Sequence, residues 1–176
     1  MSPLSSVLIS HDDLERRTKE LARTLEADYQ GKHVLLVGVL KGAFMFLSHL
    51  SEELWRSGLQ DFEIDFFTIA SYYGTKRTKN PKIVMDLDTD IEGRHVLIVE
   101  DIVDTGYSLD TLLRIMHARS PQSVKTCALL SKPSKRAVTV PVDYIGFEIE
   151  DRWVEGFGMD TNQQHRGSPD IMARKF

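Results

Sequence analysis

The chain has 176 residues with 41% hydrophobic and 27% charged content, the composition of an ordinary folded protein rather than a disordered one. At roughly 150 residues per domain the length predicts one domain spanning 1–176, and a single cysteine, Cys127, excludes an internal disulfide framework or a multi-cysteine zinc site. A net charge of −4 disfavours a dedicated nucleic-acid binder, which needs a basic face.

No apolar run approaches the roughly 20 residues of a membrane span, and Met1-Ser2-Pro3-Leu4 lacks a basic flank followed by an apolar stretch. The expected setting is cytoplasmic, without membrane or nucleic-acid partners.

Leu14, Leu21 and Leu25 recur at helical spacing, and Ser10 with Asp13 resembles a capping box, so residues 11–29 are predicted to be a helix. Residues 34–40 form a continuous apolar run, as in a strand buried on both faces. Leu47, Leu50 and Leu54 predict a second helix ending near Gly58, and residues 62–69 partly alternate as a strand. Residues 71–81 are polar, contain Gly74 and Pro81, and are read as a long loop of the kind that forms lids. Within 86–90, three aspartates imitate a calcium loop, but its sixth position is Ile91 where glycine is needed, which favours a polar turn.

An apolar strand from His95 to Val99 runs into Glu100 and Asp101. Leu109, Leu112, Leu113 and Met116 then mark a helix, and residues 123–130 a further strand. Alternating strands and helices imply an α/β fold: a mostly parallel twisted sheet with helices on both faces. Ligands in such sheets bind beyond the carboxyl ends of the strands, which directs attention to the residues after Leu40, Val99 and Leu130.

The most informative stretch is Glu100-Asp101-Ile102-Val103-Asp104-Thr105-Gly106-Tyr107-Ser108. Gly106 permits a tight turn, Thr105 and Ser108 add hydroxyl donors, and a helix N-terminus follows, together a cradle for a terminal phosphate. Carboxylates cannot face that phosphate; they suit sugar hydroxyls or a magnesium ion beside it. Read alone, the acids could equally be helix-start and turn residues. The Asp-Thr-Gly triplet also occurs in aspartic proteases, but those need a β-rich chain with paired copies, and here a single copy feeds a helix.

Val99 to Gly106 resembles the phosphoribosyl-pyrophosphate motif of type I phosphoribosyltransferases, and the chain from about 8 to 166 resembles the hypoxanthine-guanine phosphoribosyltransferases of purine salvage. The resemblance implies that fold, with a small C-terminal hood that contributes to the purine pocket, 150–176 being part of hood and tail, and a mobile lid at 71–81 opened by Ser71 and Tyr72. It implies transfer of the 5-phosphoribosyl group from phosphoribosyl pyrophosphate to hypoxanthine or guanine, giving IMP or GMP and pyrophosphate, with Mg2+ as cofactor. Asp104, Thr105, Gly106, Tyr107 and Ser108 would surround the 5-phosphate, with Asp104 also the general acid/base near the purine N7.

Glu100 and Asp101 would serve the ribose and the metal, joined on the metal side by Asp160. Leu40, Lys41, Gly42 and Arg166 would bind pyrophosphate, the Leu-Lys bond being cis in some members. Lys132, Trp153, Val154 and Asp160 would form the purine pocket, and a homodimer or homotetramer is implied. Taken on pattern alone, Lys41 reads as a solvated strand-end charge, Arg166 as a solvated tail residue and Trp153 as core. Three features depart from the family pattern: Tyr107 within the cradle, the tail Gly167-Ser168-Pro169-Asp170, and Glu155, which bears on the purine 2-position and on xanthine use. The rival readings are a nucleotide-sensing RNA regulator of the same fold, a transferase for another base, and a non-catalytic sugar-phosphate binder.

Overall fold

The structure, a computed structural model, describes residues 5–73 and 76–174, and the side chains among them except at 5 and 70–81. In chain order the elements are β1 (Ser5–Ile9), α1 (His11–Tyr29), β2 (Val34–Leu40), α2 (Phe44–Ser57), β3 (Phe62–Tyr73), β4 (Lys76–Met85) and β5 (His95–Val103). Then come α3 (Tyr107–His117), β6 (Ser123–Ser131), a 3-10 turn (Pro133–Lys135), β7 (Tyr144–Glu148), β8 (Val154–Glu155) and β9 (Ile171–Arg174).

Six strands form one sheet in the order β4-β3-β2-β5-β6-β7. All neighbours in it are parallel except the edge pair β3–β4. The parallel strands therefore present their carboxyl ends, at Leu40, Val103 and Ser131, along one edge.

Apolar runs do the layering. In β2, Val34 and Leu36 pack with Leu14, Leu21 and Leu25 of α1 and Leu47, Leu50 and Leu54 of α2. Leu35, Val37 and Val39 pack on the other face with Leu109, Leu112 and Met116 of α3. Helices thus cover both faces, as the sequence predicts. Gly38 lets α2 approach closely: a Cβ there would lie 2.6 Å from Leu47 Cδ2. Ser10 caps α1 by accepting from the Asp13 backbone N–H at 3.2 Å and donating its hydroxyl to the Asp13 carboxylate at 2.7 Å. Gly58 ends α2 in the left-handed conformation, at φ 109°.

Two expectations need correction. Of the segment read as a loop at 71–81, residues 71–73 instead continue β3 and 76–81 belong to β4, with Tyr72 opposite Arg77 and Tyr73 opposite Lys76. Backbone pairing along an antiparallel edge tolerates the polar side chains that made this stretch look irregular. The β5 strand runs past Val99 to Val103 because its ladder with β6 continues through Ile102↔Leu130 and Val103↔Ser131, so Glu100 and Asp101 sit inside a strand. The hood, of which the C-terminal segment is part, is an antiparallel sheet in the order β1-β9-β8, so the first described strand also closes it.

Residues 86–90 lie between β4 and β5, where Asp86 pairs with Arg119 at 2.7 Å. Among the described residues, no helix is long and apolar enough to cross a membrane.

At the opposite edge of the sheet, His33 hydrogen-bonds Asp61 and lies 3.0 Å from Glu63, which also pairs with Arg94 at 3.0 Å. The Asp61 hydrogen bond, and less so Glu63, raises the His33 pKa above 6.5. A raised histidine contributes stability that is fully present below the unfolded value and is lost as pH rises through the folded one. The thermal midpoint is therefore expected to fall as pH rises from about 6 to about 8, and His33→Gln to flatten that fall. A calorimetric pH series checks this, and an unchanged slope in the variant contradicts it.

Candidate active site

The turn after β5 is pinned from outside. Thr105 carbonyl accepts the N–H groups of Ala137 at 2.9 Å and Val138 at 3.1 Å, and the Asp104 carbonyl accepts from Arg136 Nη1 at 3.1 Å. Arg136 is braced in turn by a 2.8 Å bond to Ser131 Oγ. Gly106 adopts φ 91° with Val138 so close that a Cβ would stand 2.7 Å from its carbonyl oxygen, so only glycine fits. From there α3 begins, and the N–H groups of its first turn have no intrahelical acceptor. The result is an anion-receptive concavity at a helix start.

That turn lines a cavity of about 700 Å3, within the usual range for small-molecule sites. Its wall holds Leu40 at the end of β2 and Gly42 beyond it, Glu100 and Asp101 from β5, Asp104, Thr105 and Gly106 from the turn, and Tyr107 and Ser108 at the start of α3. Lys132, Trp153, Val154 and Asp160 of the predicted set also line it, and Lys135, Asp151, Arg152 and Met159 join them. Residues separated by more than a hundred positions meet here because β2, β5 and β6 end side by side.

Glu100 is buried, and loss of water, then the charge of Asp101, pushes its carboxyl well above the usual range. Asp101, part of whose surface opens onto the cavity, is pushed up to about 6 by desolvation. Backbone N–H groups and Arg166 oppose that rise, and Asp160 adds to it. Two desolvated carboxylates on a polar wall favour either protons or a cation.

Gly42 packs directly on Asp101: a Cβ at Gly42 would fall 1.8 Å from Asp101 Oδ2. On its other side the hood presses in, since a Cβ at Gly158 would lie 2.0 Å from the Gly42 carbonyl oxygen. The Leu40–Lys41 peptide is cis.

Lys132 is 5% exposed, and burial lowers its pKa against the opposing charge of Asp104. Asp151 stands 3.5 Å from its ammonium and 2.8 Å from that of Lys135. Trp153 is 44% exposed, so it is a cavity-wall residue and not core.

Lys41 and Arg166 are outside the cavity wall. Both reach Gln163 Oε1, each at 3.4 Å, at the rim. Arg166 also pairs with Asp160 at 2.7 Å and donates to the Gly158 carbonyl at 2.7 Å. Asp160, which also accepts the Gln163 N–H at 2.8 Å, is thereby committed to its own loop. Among the described residues no three histidine, cysteine or acidic side chains gather to hold a metal. The side chains of Ser71 and Tyr72, and all of Gly74, lie outside the described residues, and with them the lid.

Sequence reasoning missed Arg136, Lys135 and Thr161. The first two follow Lys132 closely in the chain just past β6, and that proximity was their one visible signal.

The phosphoribosyl transferase domain family matches residues 8–162. The chain is 46% identical over 165 residues to the hypoxanthine phosphoribosyltransferase of Haemophilus influenzae, covering 91% of this chain and 89% of that protein. It is 42% identical to the hypoxanthine-guanine-xanthine phosphoribosyltransferase of Tritrichomonas foetus, covering 97% and 92% of the two chains. Among solved structures, the hypoxanthine phosphoribosyltransferase of Trypanosoma cruzi in complex with the product IMP superposes with a TM-score of 0.90. It is 33% identical, and the match covers 98% of this chain and 95% of that one. The chain therefore belongs to the phosphoribosyl transferase family, among its hypoxanthine and hypoxanthine-guanine members.

Proposed function

We propose that the chain transfers the 5-phosphoribosyl group of phosphoribosyl pyrophosphate to N9 of hypoxanthine and guanine, forming IMP or GMP and pyrophosphate. The observation that carries this reading is that one cavity wall holds the Asp104–Ser108 cradle, two buried-wall carboxylates, and Lys132 beside Trp153.

In this reading the bond from the anomeric carbon to pyrophosphate oxygen breaks as the bond to N9 forms, and positive charge develops on the sugar. The protein contributes position and electrostatics. The turn from Thr105 to Ser108 holds the 5-phosphate by N–H and hydroxyl donors. Glu100 and Asp101 face the ribose and its developing charge. Asp104 takes the proton leaving the purine at N7. Leu40 and Gly42 border the pyrophosphate, with Lys41 and Arg166 at the rim supplying positive charge. Lys132 donates to the purine O6, Trp153 stacks on the ring, and Val154 offers backbone groups to its edge.

Mg2+ suits Glu100 and Asp101, because hard oxygen donors that burial has left short of countercharge fit a divalent ion. With only two such carboxylates, the rest of its shell would be water and substrate oxygens. Bound there it would neutralise charge on the departing pyrophosphate. A closing lid at 71–81, with Ser71 and Tyr72, a cytoplasmic setting and a homodimer or homotetramer belong to the same reading. The exposed apolar side chains of Ile64, Phe66, Ile83, Val84 and Met85 on β3 and β4 support an oligomer.

Adenine carries an amino group at position 6 and would leave the Lys132 ammonium unmatched, a mismatch of about 1–3 kcal/mol. Lys132→Ala is expected to reduce the preference for hypoxanthine over adenine by about 5- to 150-fold, read as the ratio of kcat/KM values. An unchanged ratio removes Lys132 from base selection. The reading as a whole is tested by incubating the protein with Mg2+, phosphoribosyl pyrophosphate and each purine. IMP and GMP are the expected products, and no nucleotide from either 6-oxopurine overturns it.

A further inference from the structure

Trp153 is half in solvent yet held. Its indole N–H, the ring's one hydrogen-bond donor, donates to Thr161 Oγ1 at 2.7 Å. The Thr161 hydroxyl has one proton, and it goes to Glu155 Oε2 at 2.5 Å. That fixes the direction of the chain: Trp153 to Thr161 to Glu155. Arg174 Nε lies 3.4 Å from the same carboxylate oxygen. The Arg174 backbone N–H donates to the Trp153 carbonyl at 3.1 Å, so β9 holds the Trp153 backbone directly and reaches its side chain only through Glu155 and Thr161.

Thr161 is 7% exposed and Glu155 5% exposed. A carboxylate placed on a short buried strand is costly unless it is paired and hydrogen-bonded. Here both conditions are met, and a charged acceptor strengthens the bond it receives from Thr161. The chain leaves the indole face directed by fixed groups rather than by the loose contacts of a cavity rim. Neither Glu155 nor Thr161 lines the cavity, so neither touches a ligand there.

We infer that Glu155 and Thr161 are positioning residues that orient the Trp153 indole in advance and thereby set affinity for the purine base. This rests on the reading that Trp153 stacks on the purine. Ordering a flexible side chain before binding removes a cost that otherwise weakens affinity by about three- to tenfold.

The test uses the full chain carrying Trp55→Phe, which leaves Trp153 as the remaining one of two tryptophans. In that background Thr161→Val is expected to raise the purine KM by about three- to tenfold while the KM for phosphoribosyl pyrophosphate holds. Trp153 fluorescence anisotropy should fall, and Thr161→Ser, which restores the hydroxyl, should return both readouts. Glu155→Gln keeps an acceptor without the charge and should give a smaller rise; a purine KM equal to the parent removes Glu155 from the role.

Unchanged anisotropy and purine KM in Thr161→Val overturn the inference, as does a parallel rise in both KM values, which would mean general damage to the hood. Trp153→Leu separates the two levels. If it raises the purine KM and Thr161→Val does not, stacking stands and the positioning chain falls. If Trp153→Leu leaves the purine KM unchanged, the stacking reading fails and the inference with it.

Discussion

Asp104→Asn is expected to lower kcat by about a hundred- to ten-thousand-fold, the usual contribution of a positioned general acid/base. Asparagine keeps the size and a hydrogen-bonding oxygen but cannot take the purine proton. The fold should survive, because the Arg136 contact that pins this residue goes to its backbone carbonyl, which the substitution leaves in place. Steady-state kinetics beside a thermal melt separates the two effects. Loss of activity with an unchanged melting temperature is the expected result, and normal turnover removes Asp104 from the chemistry.

Gly42→Ala is the second large effect. An alanine Cβ would stand 1.8 Å from Asp101 Oδ2, far inside contact distance, so the carboxylate or the loop must move. The loop has little room to retreat, because the hood backbone at Gly158 presses on the Gly42 carbonyl. Displacing a catalytic group by about 1 Å can cost on the order of a hundredfold, so kcat/KM for phosphoribosyl pyrophosphate should drop by about that factor. Purine affinity, which the proposed function assigns to Lys132 and Trp153, should move much less. A Gly42→Ala enzyme that uses phosphoribosyl pyrophosphate as well as the parent contradicts the packing of this loop against Asp101.

The parts of the fold that were legible are those whose signal is local. Residues 34–40 announce a buried strand by an unbroken apolar run, and α1 announces itself by leucine spacing and a serine cap. The β3–β4 hairpin was not legible, because an edge strand is held by backbone pairing and its polar side chains carry no alternation. Nor was β1 within the hood: Ser5 pairs with Arg174, and nothing near residue 5 reports a partner so distant.

The site divides the same way. The Glu100–Ser108 stretch carries its chemistry contiguously and could be read directly, although Glu100 and Asp101 lie within the strand and only Asp104 lies beyond it. Arg136 and Thr161 act by where the chain returns in space, Arg136 bracing the turn after β5 and Thr161 the indole. Lys41 and Arg166 show the converse: both match family positions, yet both side chains stand at the rim beside Gln163.

A crystal structure of the protein with IMP asks directly whether this turn grips a ribose phosphate. The expected density places the phosphate against the Thr105–Ser108 backbone and the base between Lys132 and Trp153. Full occupancy of IMP elsewhere, with that turn holding no phosphate, would contradict the assignment.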